Sequence, residues 1–306
     1  MSKSFKKGKE PFKRKTAEEK KEELDNLVQT LENGMKNFKH DSETFKAILQ
    51  MQAIMPKYSF RNIMVARAQI PHASYIASFN RWKELSRNVI KGEKAIYIFA
   101  PRFAKVENEV SGEEETKLIG YITVPVFDIS QTEGKPLPID KIKLLLEGES
   151  EEADHIFEVA KKMAAADNCP VTIESAGSAN GYYSISEHKI VVDPKLSGNH
   201  RAKTTVHELV HSRVHRKGMV EKTTAEEREI VAEGTAFVVC SYFGLDTSDY
   251  SFRYVRSWSS DGGQSLMKYG ELIQKTSSKL IEEFEGISAS VQSNTDCIEP
   301  DEAKIA

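Results

Sequence analysis

His207 and His211 stand four residues apart in the run Val206-His207-Glu208-Leu209-Val210-His211, with Glu208 directly after the first histidine. On an α-helix, residues four apart share a face. The two imidazoles can therefore grip one cation and leave other coordination positions open. The chemistry this suits is hydrolysis. A zinc ion brings the pKa of a water it holds to about 7, and Glu208 is placed to take the proton as general base. This is the reasoning behind the HExxH motif of zinc peptidases. Five such residues also arise by chance, so context matters. Here the run has helical periodicity from Arg201 onward, and short β runs precede it.

A third ligand is needed, and the following segment offers carboxylates. Glu229 and Glu233 are four apart, among the apolar residues Ile230, Val231, Ala236 and Phe237. Their shared helix face turns inward, and an inward carboxylate without a partner is costly. A metal removes that cost for one of them. A hydrogen bond to the free ring nitrogen of a ligand histidine removes it for the other. The reading is Glu229 as ligand and Glu233 as the group that orients a ligand imidazole, with the reverse assignment as the alternative. Glu226 and Glu227 are expected on a solvated helix face. His215 would extend the histidine stripe, but it lies about 12 Å from His207 along a straight helix, too far for one ion. The longer pattern HExxHxxGxxH also fails, since Val214 and Lys217 occupy the required Gly and His positions.

Ahead of the histidines, Gly181–Ser186 and Ile190–Asp193 read as a hairpin turning at Glu187-His188. An edge strand there could hold an extended peptide by main-chain hydrogen bonds. Tyr182 or Tyr183 could donate to an oxyanion, although at least one of them is expected to be an ordinary packing residue. His188 is assigned to the turn rather than to the metal.

The front half carries a different chemistry. Residues 57–105 hold ten Lys/Arg against Glu84 and Glu93. Cations alternate there with aromatic and amide groups: Lys57, Tyr58, Arg61 and Asn62, then Arg81, Trp82 and Lys83, then Lys91 and Lys94. Such cations can neutralise phosphates, and aromatic rings can stack on unpaired bases, which suits single strands. The competing reading makes the aromatics core residues and the cations a solvated face. Residues 141–306 hold 19 Lys/Arg against 27 acids. The two halves are therefore expected to have different partners.

The elements that must position these residues are legible in outline. Helices are expected at 16–34, 42–55 and 59–68, with a short one at 79–85. Strands at 94–101 and 117–127 should pair around an acidic, solvated loop. Residues 129–150 read as a junction. Behind it come a helix at 151–167, β runs at 171–174, 181–186 and 189–192, then helices at 200–217, 224–244, 248–258 and 264–285. The class is α+β. The 306 residues divide as a basic tail at 1–15, a front domain at 16–140, a linker at 141–150, a rear domain at 151–286 and a flexible tail at 287–306.

Composition bounds the rest. A hydrophobic content of 39% supports packed cores. No run of about 18 apolar residues exists to span a membrane. The lysine-rich start lacks the apolar stretch of a secretory signal. Cys169, Cys240 and Cys297 form no CxxC pair or disulfide framework, and Cys240 reads as a small buried apolar residue. A reducing cytoplasm is the expected location.

Several ordered motifs then resemble one family. Tyr58-Ser59-Phe60-Arg61-Asn62, Gln69-Ile70-Pro71, Trp82-Lys83, Val89 to Lys94, Ala100-Pro101 and Val126 to Gly134 are similar to the N-terminal domain of ArdC-type antirestriction proteins. The histidine helix and the later Glu229/Glu233 helix resemble that family's zincin-like metallopeptidase domain. Together the resemblance spans about residues 20–285. It implies a mixed helix-and-hairpin domain binding single-stranded DNA, followed by a mostly helical metallopeptidase domain with a small β-sheet and bound Zn²⁺. It also implies carriage on a conjugative element, protection of incoming DNA from restriction, and an unnamed protein or peptide substrate. The basic tail and the acidic insert near 107–115 fall outside the resemblance. Two other readings are open: a DNA-coating protein with structural zinc, and an ImmA-like protease that cleaves a repressor.

Overall fold

The structure, a computed structural model, describes residues 15–107, 114–137, 151–214, 223–245, 250 and 252–295. Residues 1–14 of the basic tail, the expected linker, His215 and the tip of the acidic insert lie outside the described residues. What is described is α+β, mixing helices with three small sheets.

Three helices open the chain: α1 (Ala17–Lys36), α2 (Ser42–Ile54) and α3 (Phe60–Gln69). Each starts where a short polar side chain accepts a free N–H of the first turn. Those caps are Thr16, Asp41 and Ser59, and Thr16 is reciprocated by Glu19. Then follow β1 (Ile76–Ala77), α4 (Phe79–Glu84), β2 (Arg87–Val89), β3 (Ile96–Glu107) and β4 (Glu114–Asp128). A 3-10 turn (Ile129–Gln131) leads into β5 (Thr132–Gly134). One sheet has the order β1-β4-β3 and a second pairs β2 with β5, all antiparallel.

The rear half runs α5 (Glu151–Ala166), β6 (Val171–Ile173), β7 (Gly181–Ser184) and β8 (Lys189–Val192). It continues with α6 (Gly198–Val214), α7 (Ala225–Tyr242), a 3-10 stretch (Arg253–Ser260) and α8 (Gln264–Thr295). Its sheet has the order β6-β8-β7, with β6 parallel and β7 antiparallel to β8, so β7 is an edge strand.

Four expectations are corrected. The β3–β4 hairpin reaches further than its apolar runs suggest, because charges there pair across the strands, as Lys105 does with Glu114 at 2.8 Å. Residues 129–134 are not a junction: Asp128 and Gln131 cap the 3-10 turn, and β5 pairs with β2. Residues 253–260 form a 3-10 stretch where an α-helix is expected. α8 continues to Thr295, because Ile287 packs on the core and Ser288 bonds both Phe284 O (2.8 Å) and His155 Nε2 (2.9 Å).

Buried residues from both halves form one continuous cluster, from Leu27 in α1 to Phe284 in α8. Phe45 of α2 meets Phe252 and Trp258 edge-on, at 5.3 and 5.4 Å between ring centroids. Gly270 of α8 lies so close to Phe60 that a Cβ would stand 2.2 Å from the ring. A smaller cluster gathers Ala77, Trp82 and Leu137. Cys169 and Cys240 are buried and not joined in a disulfide, and no described helix is long and apolar enough to cross a membrane.

Candidate metal centre

α6 buries Ala202, Val206, Leu209 and Val210 in the core. Its 3.6-residue period then turns His207 and His211 together toward α7. α7 is started by Thr224, whose hydroxyl accepts Glu227 N–H while the Glu227 carboxylate accepts Thr224 N–H. The Glu227 carboxylate also takes bonds from Lys268 Nζ and Tyr269 Oη of α8, the latter at 2.8 Å. Glu227 is therefore a cap and an anchor, not the solvated residue expected. Fixing this end of α7 sets the rotation that points Glu229 at α6.

The three side chains converge. His207 Nε2 and His211 Nε2 are 3.0 Å apart, and each is 3.4 Å from a different oxygen of Glu229. A tetrahedron with zinc–ligand bonds of 2.0–2.1 Å has edges of about 3.3 Å. The donor set is two imidazole nitrogens and a carboxylate, and its spacing fits a single divalent cation. Among the described residues this trio is the cluster of His, Cys, Asp and Glu able to hold a metal.

Electrostatics agree with the geometry. Hydrogen bonds from His207 and His211 hold the Glu229 carboxyl far below the usual carboxylate range. Burial opposes charge on His207, but the Glu229 bond and the charges of Glu208, Glu229 and Glu233 outweigh it and move the imidazole pKa up. Burial pushes the Glu208 carboxyl up, against the pull of His207 and His211. Glu208 also receives the main-chain N–H of Tyr183. Glu233 lines the cleft beside His207, is raised by burial, and acts on His207 through charge.

The edge strand β7 forms the opposite wall. Gly181 opens it, and a Cβ there would stand 2.6 Å from Thr204 Cγ2 and 2.7 Å from Val191 O, so only glycine lets the strand lie this close to α6. Tyr182 and Tyr183 both line the cleft, and Tyr182 is 42% exposed. Tyr183 turns its ring to the strand face opposite that of Tyr182, as strand residues must. Its hydroxyl bonds His188 Nδ1 at 2.8 Å, and His188 Nε2 meets Asp167 O at 3.1 Å. The Tyr183 hydroxyl is thus engaged by His188, and His188 belongs to the turn, at φ 49°.

Two adjoining pockets at the ligands hold residues not anticipated: Arg228 in one, and Asn180, His200, Lys203, Thr204 and Tyr250 in the other. Lys203 was within reach of sequence reasoning, being one turn before His207 on the same helix face. Arg228 and Tyr250 carried no comparable spacing signal.

The front-half candidates separate. Lys57, Arg61, Arg81, Lys83, Lys91 and Lys94 are exposed. Arg61 pairs with Glu271 (3.2 Å) and Arg81 with Glu84 (2.8 Å), while Lys83 lies 4.6 Å from the Phe79 ring centroid. Trp82 is corrected: it is fully buried and donates Nε1–H to Phe127 O at 3.0 Å, so it has no face for a base. Asn62 is spent on the fold, its amide joining both main-chain groups of Phe99 at 2.9 Å. Tyr58 is half-buried, with its hydroxyl 3.4 Å from Ile76 O. Other rings of the front half stand exposed instead: Phe79, Tyr97, Phe103 and Tyr121.

Comparison with known proteins sets these features beside relatives. Residues 17–128 match the family described as the N-terminal domain of anti-restriction factor ArdC. An uncharacterized Bacillus anthracis protein, pXO2-81, is 26% identical over 293 residues, covering 83% of this chain. The chain spans 49% of that relative's length, about half. Two crystal structures of the antirestriction ArdC protein from the R388 plasmid, one metal-free and one Mn(II)-bound, are 21% identical. Each covers 74% of this chain and 83% of its own, with TM-scores of 0.48 and 0.45.

Proposed function

We propose that this chain, ArdC-type through residues 17–128, is a cytoplasmic antirestriction protein of a mobile element that binds single-stranded DNA and carries a zinc-dependent peptidase site. The observation that supports the catalytic half is the convergence of His207, His211 and Glu229 at 3.0–3.4 Å beside the buried carboxyl of Glu208. His207 and His211 would hold zinc through Nε2, and Glu229 through its carboxylate. Zinc there would acidify a water and polarise the scissile carbonyl. Glu208 accepts the proton and returns it to the departing amine, and its burial-raised pKa brings it nearer the working pH for both steps. Tyr182 would donate to the developing oxyanion. Glu233, one turn beyond Glu229, would orient a ligand imidazole.

DNA binding is supported by the exposed cations of the front half and by the rings beside them. Lys57, Lys83, Lys91 and Lys94 would neutralise phosphates. Phe79, Tyr97, Phe103 and Tyr121 offer faces on which unpaired bases could stack.

Metal analysis and cleavage assays test the catalytic half together. Purified protein should hold about one zinc per chain. His207→Ala and Glu229→Ala should lose it, whereas Glu208→Ala should keep zinc and lose cleavage. Metal retained in both ligand variants would remove the centre, and unchanged cleavage in Glu208→Ala would remove the general base.

A further inference from the structure

Resting on the single-stranded DNA reading, we infer that the strand is held in the seam between the two halves, where α8 of the rear half supplies one of the cations and also the acid that opposes binding. α8 is wedged between elements of both halves. On one side Gly270 lies against the Phe60 ring, and Pro56 O accepts Gln274 Nε2 at 3.3 Å and also Ser278 Oγ. On the other, a Cβ on Gly234 of α7 would collide with Ile273. Packing on both sides fixes the rotation of α8. Glu271, Gln274 and Lys275 then share a stripe, being three and four residues apart. That stripe borders the segment from Lys57 to Asn62.

A pocket of about 860 Å³ opens along this border. Its size lies within the range of cavities that take small organic groups, about 300–1,000 Å³. Leu31, Ile98 and Val124 give it an apolar floor, and Tyr58, Phe99 and Tyr121 add rings. Its rim is cationic. Lys57 and Arg61 come from the front half and Lys275 from α8, and all three are exposed. Glu271 is the single acid among the described residues that line it. An apolar floor with rings beneath a basic rim suits a polyanion that carries flat apolar groups. Unpaired bases can enter and stack while their phosphates stay at the rim. Bases of a duplex are already stacked and paired, so they enter only by flipping out at a cost.

Glu271 makes the site self-limiting. Its Oε1 is 3.2 Å from Arg61 Nη2, and the side chains of Arg61 and Glu271 are 52% and 49% exposed. A pair this open to water is weak, so a phosphate can take the place of the carboxylate on Arg61. Until it does, Glu271 neutralises one rim cation and repels an incoming phosphate. Lys275 stands one turn further along α8 and attracts what Glu271 repels. The front half therefore does not bind alone, because the rear half carries residues that tune the same pocket in both directions.

The test is fluorescence anisotropy on the full-length protein, with a labelled oligo-dT of about 12 nucleotides, a length within the site sizes of single-strand binders. Glu271→Gln should tighten binding by about threefold or more, since it releases Arg61 and removes a charge that repels phosphate. A gain of affinity cannot come from a damaged fold. Lys275→Gln should weaken binding and lower the salt slope by about one unit, the loss of one neutralised phosphate. The matching duplex should bind about tenfold more weakly than the single strand. Unchanged affinity in Glu271→Gln, or an unchanged salt slope in Lys275→Gln, overturns the inference. If Lys91→Ala with Lys94→Ala still weakens the oligonucleotide in that case, the DNA reading survives without the seam. Absence of oligonucleotide binding at low salt sinks the DNA reading and the seam with it. Duplex bound as tightly as single strand, or oligonucleotide displaced equally well by polyglutamate, overturns the pocket as a site for bases.

Discussion

Glu229 spans two imidazoles with its two oxygens, so the carboxylate holds both rings in place before any cation arrives. Glu229→Gln keeps the shape and removes the charge, and equilibrium dialysis should show zinc affinity reduced by about 10-fold or more. Protons and metal compete for the same imidazole nitrogens. Because Glu229 and its acidic neighbours raise the His207 pKa, protons compete for that nitrogen from a higher pH than at a free imidazole, and zinc should be lost progressively as pH falls below neutral. Retention of metal at about pH 5 would contradict this. The two tyrosines should also part company. Tyr182→Phe removes the hydroxyl of an exposed residue that lines the cleft and should lower kcat by about 10²-fold. Tyr183→Phe removes one that faces His188, so it should lower kcat far less.

Elements here are held by polar side chains bonded to backbone. The run Val126 to Gly134, which resembles a family motif, is a structural knot. Asp128 accepts the N–H groups of Ser74 (2.9 Å), Tyr75 (3.2 Å) and Ser130 (2.9 Å), and Gln131 bonds Asp128 N, Glu93 and Lys94 O. Asp128→Ala takes the acceptor from three part-buried donors and should cost on the order of 3 kcal/mol in chemical denaturation. The helix that carries Glu229 has an acid-sensitive anchor. Lys268, the Thr224 N–H and Tyr269 Oη hold Glu227 at about 2, below its ordinary 4.5. A depressed carboxyl contributes stability above its unfolded pKa and loses it as pH falls. That contribution is complete above about pH 4.5 and gone near pH 2. Glu227→Gln should therefore flatten the fall in melting temperature across this window, and an unchanged profile would refute the anchor.

At the scale of the whole molecule, the two halves share one core. Phe60 sits against Gly270, Pro56 O accepts Gln274 Nε2 at 3.3 Å and also Ser278 Oγ, and Phe45 packs on Phe252. Calorimetry should give one cooperative transition, and Gly270→Ala should destabilise the protein by about 1–3 kcal/mol through overpacking at the Phe60 ring. Two resolved transitions would show the halves to be independent. Oligonucleotide binding should weaken steeply with salt. Lys91→Ala with Lys94→Ala should make that dependence shallower, by about one unit of slope for each phosphate no longer neutralised. Binding that ignores salt would turn the front half toward a protein partner.

Local chemistry determined what the residues alone disclose. Histidines four apart share a helix face whatever surrounds them, and caps such as Thr16, Ser59 and Thr224 start helices by bonding their own first turn. Those rules operate within a few residues, so the HExxH helix and most elements were legible, whereas Glu229, expected to turn inward, is 58% exposed at the mouth of the site. Long-range packing decided the rest. Whether Trp82 reads a base or fills a core depends on Phe127, 45 residues away, and the direction of the Tyr183 hydroxyl depends on a turn closing His188 onto Asp167. The convergence of Glu229 on two imidazoles needed the angle between two helices. No spacing along the chain encodes that angle. It arises from how buried side chains on several elements fill one interior together.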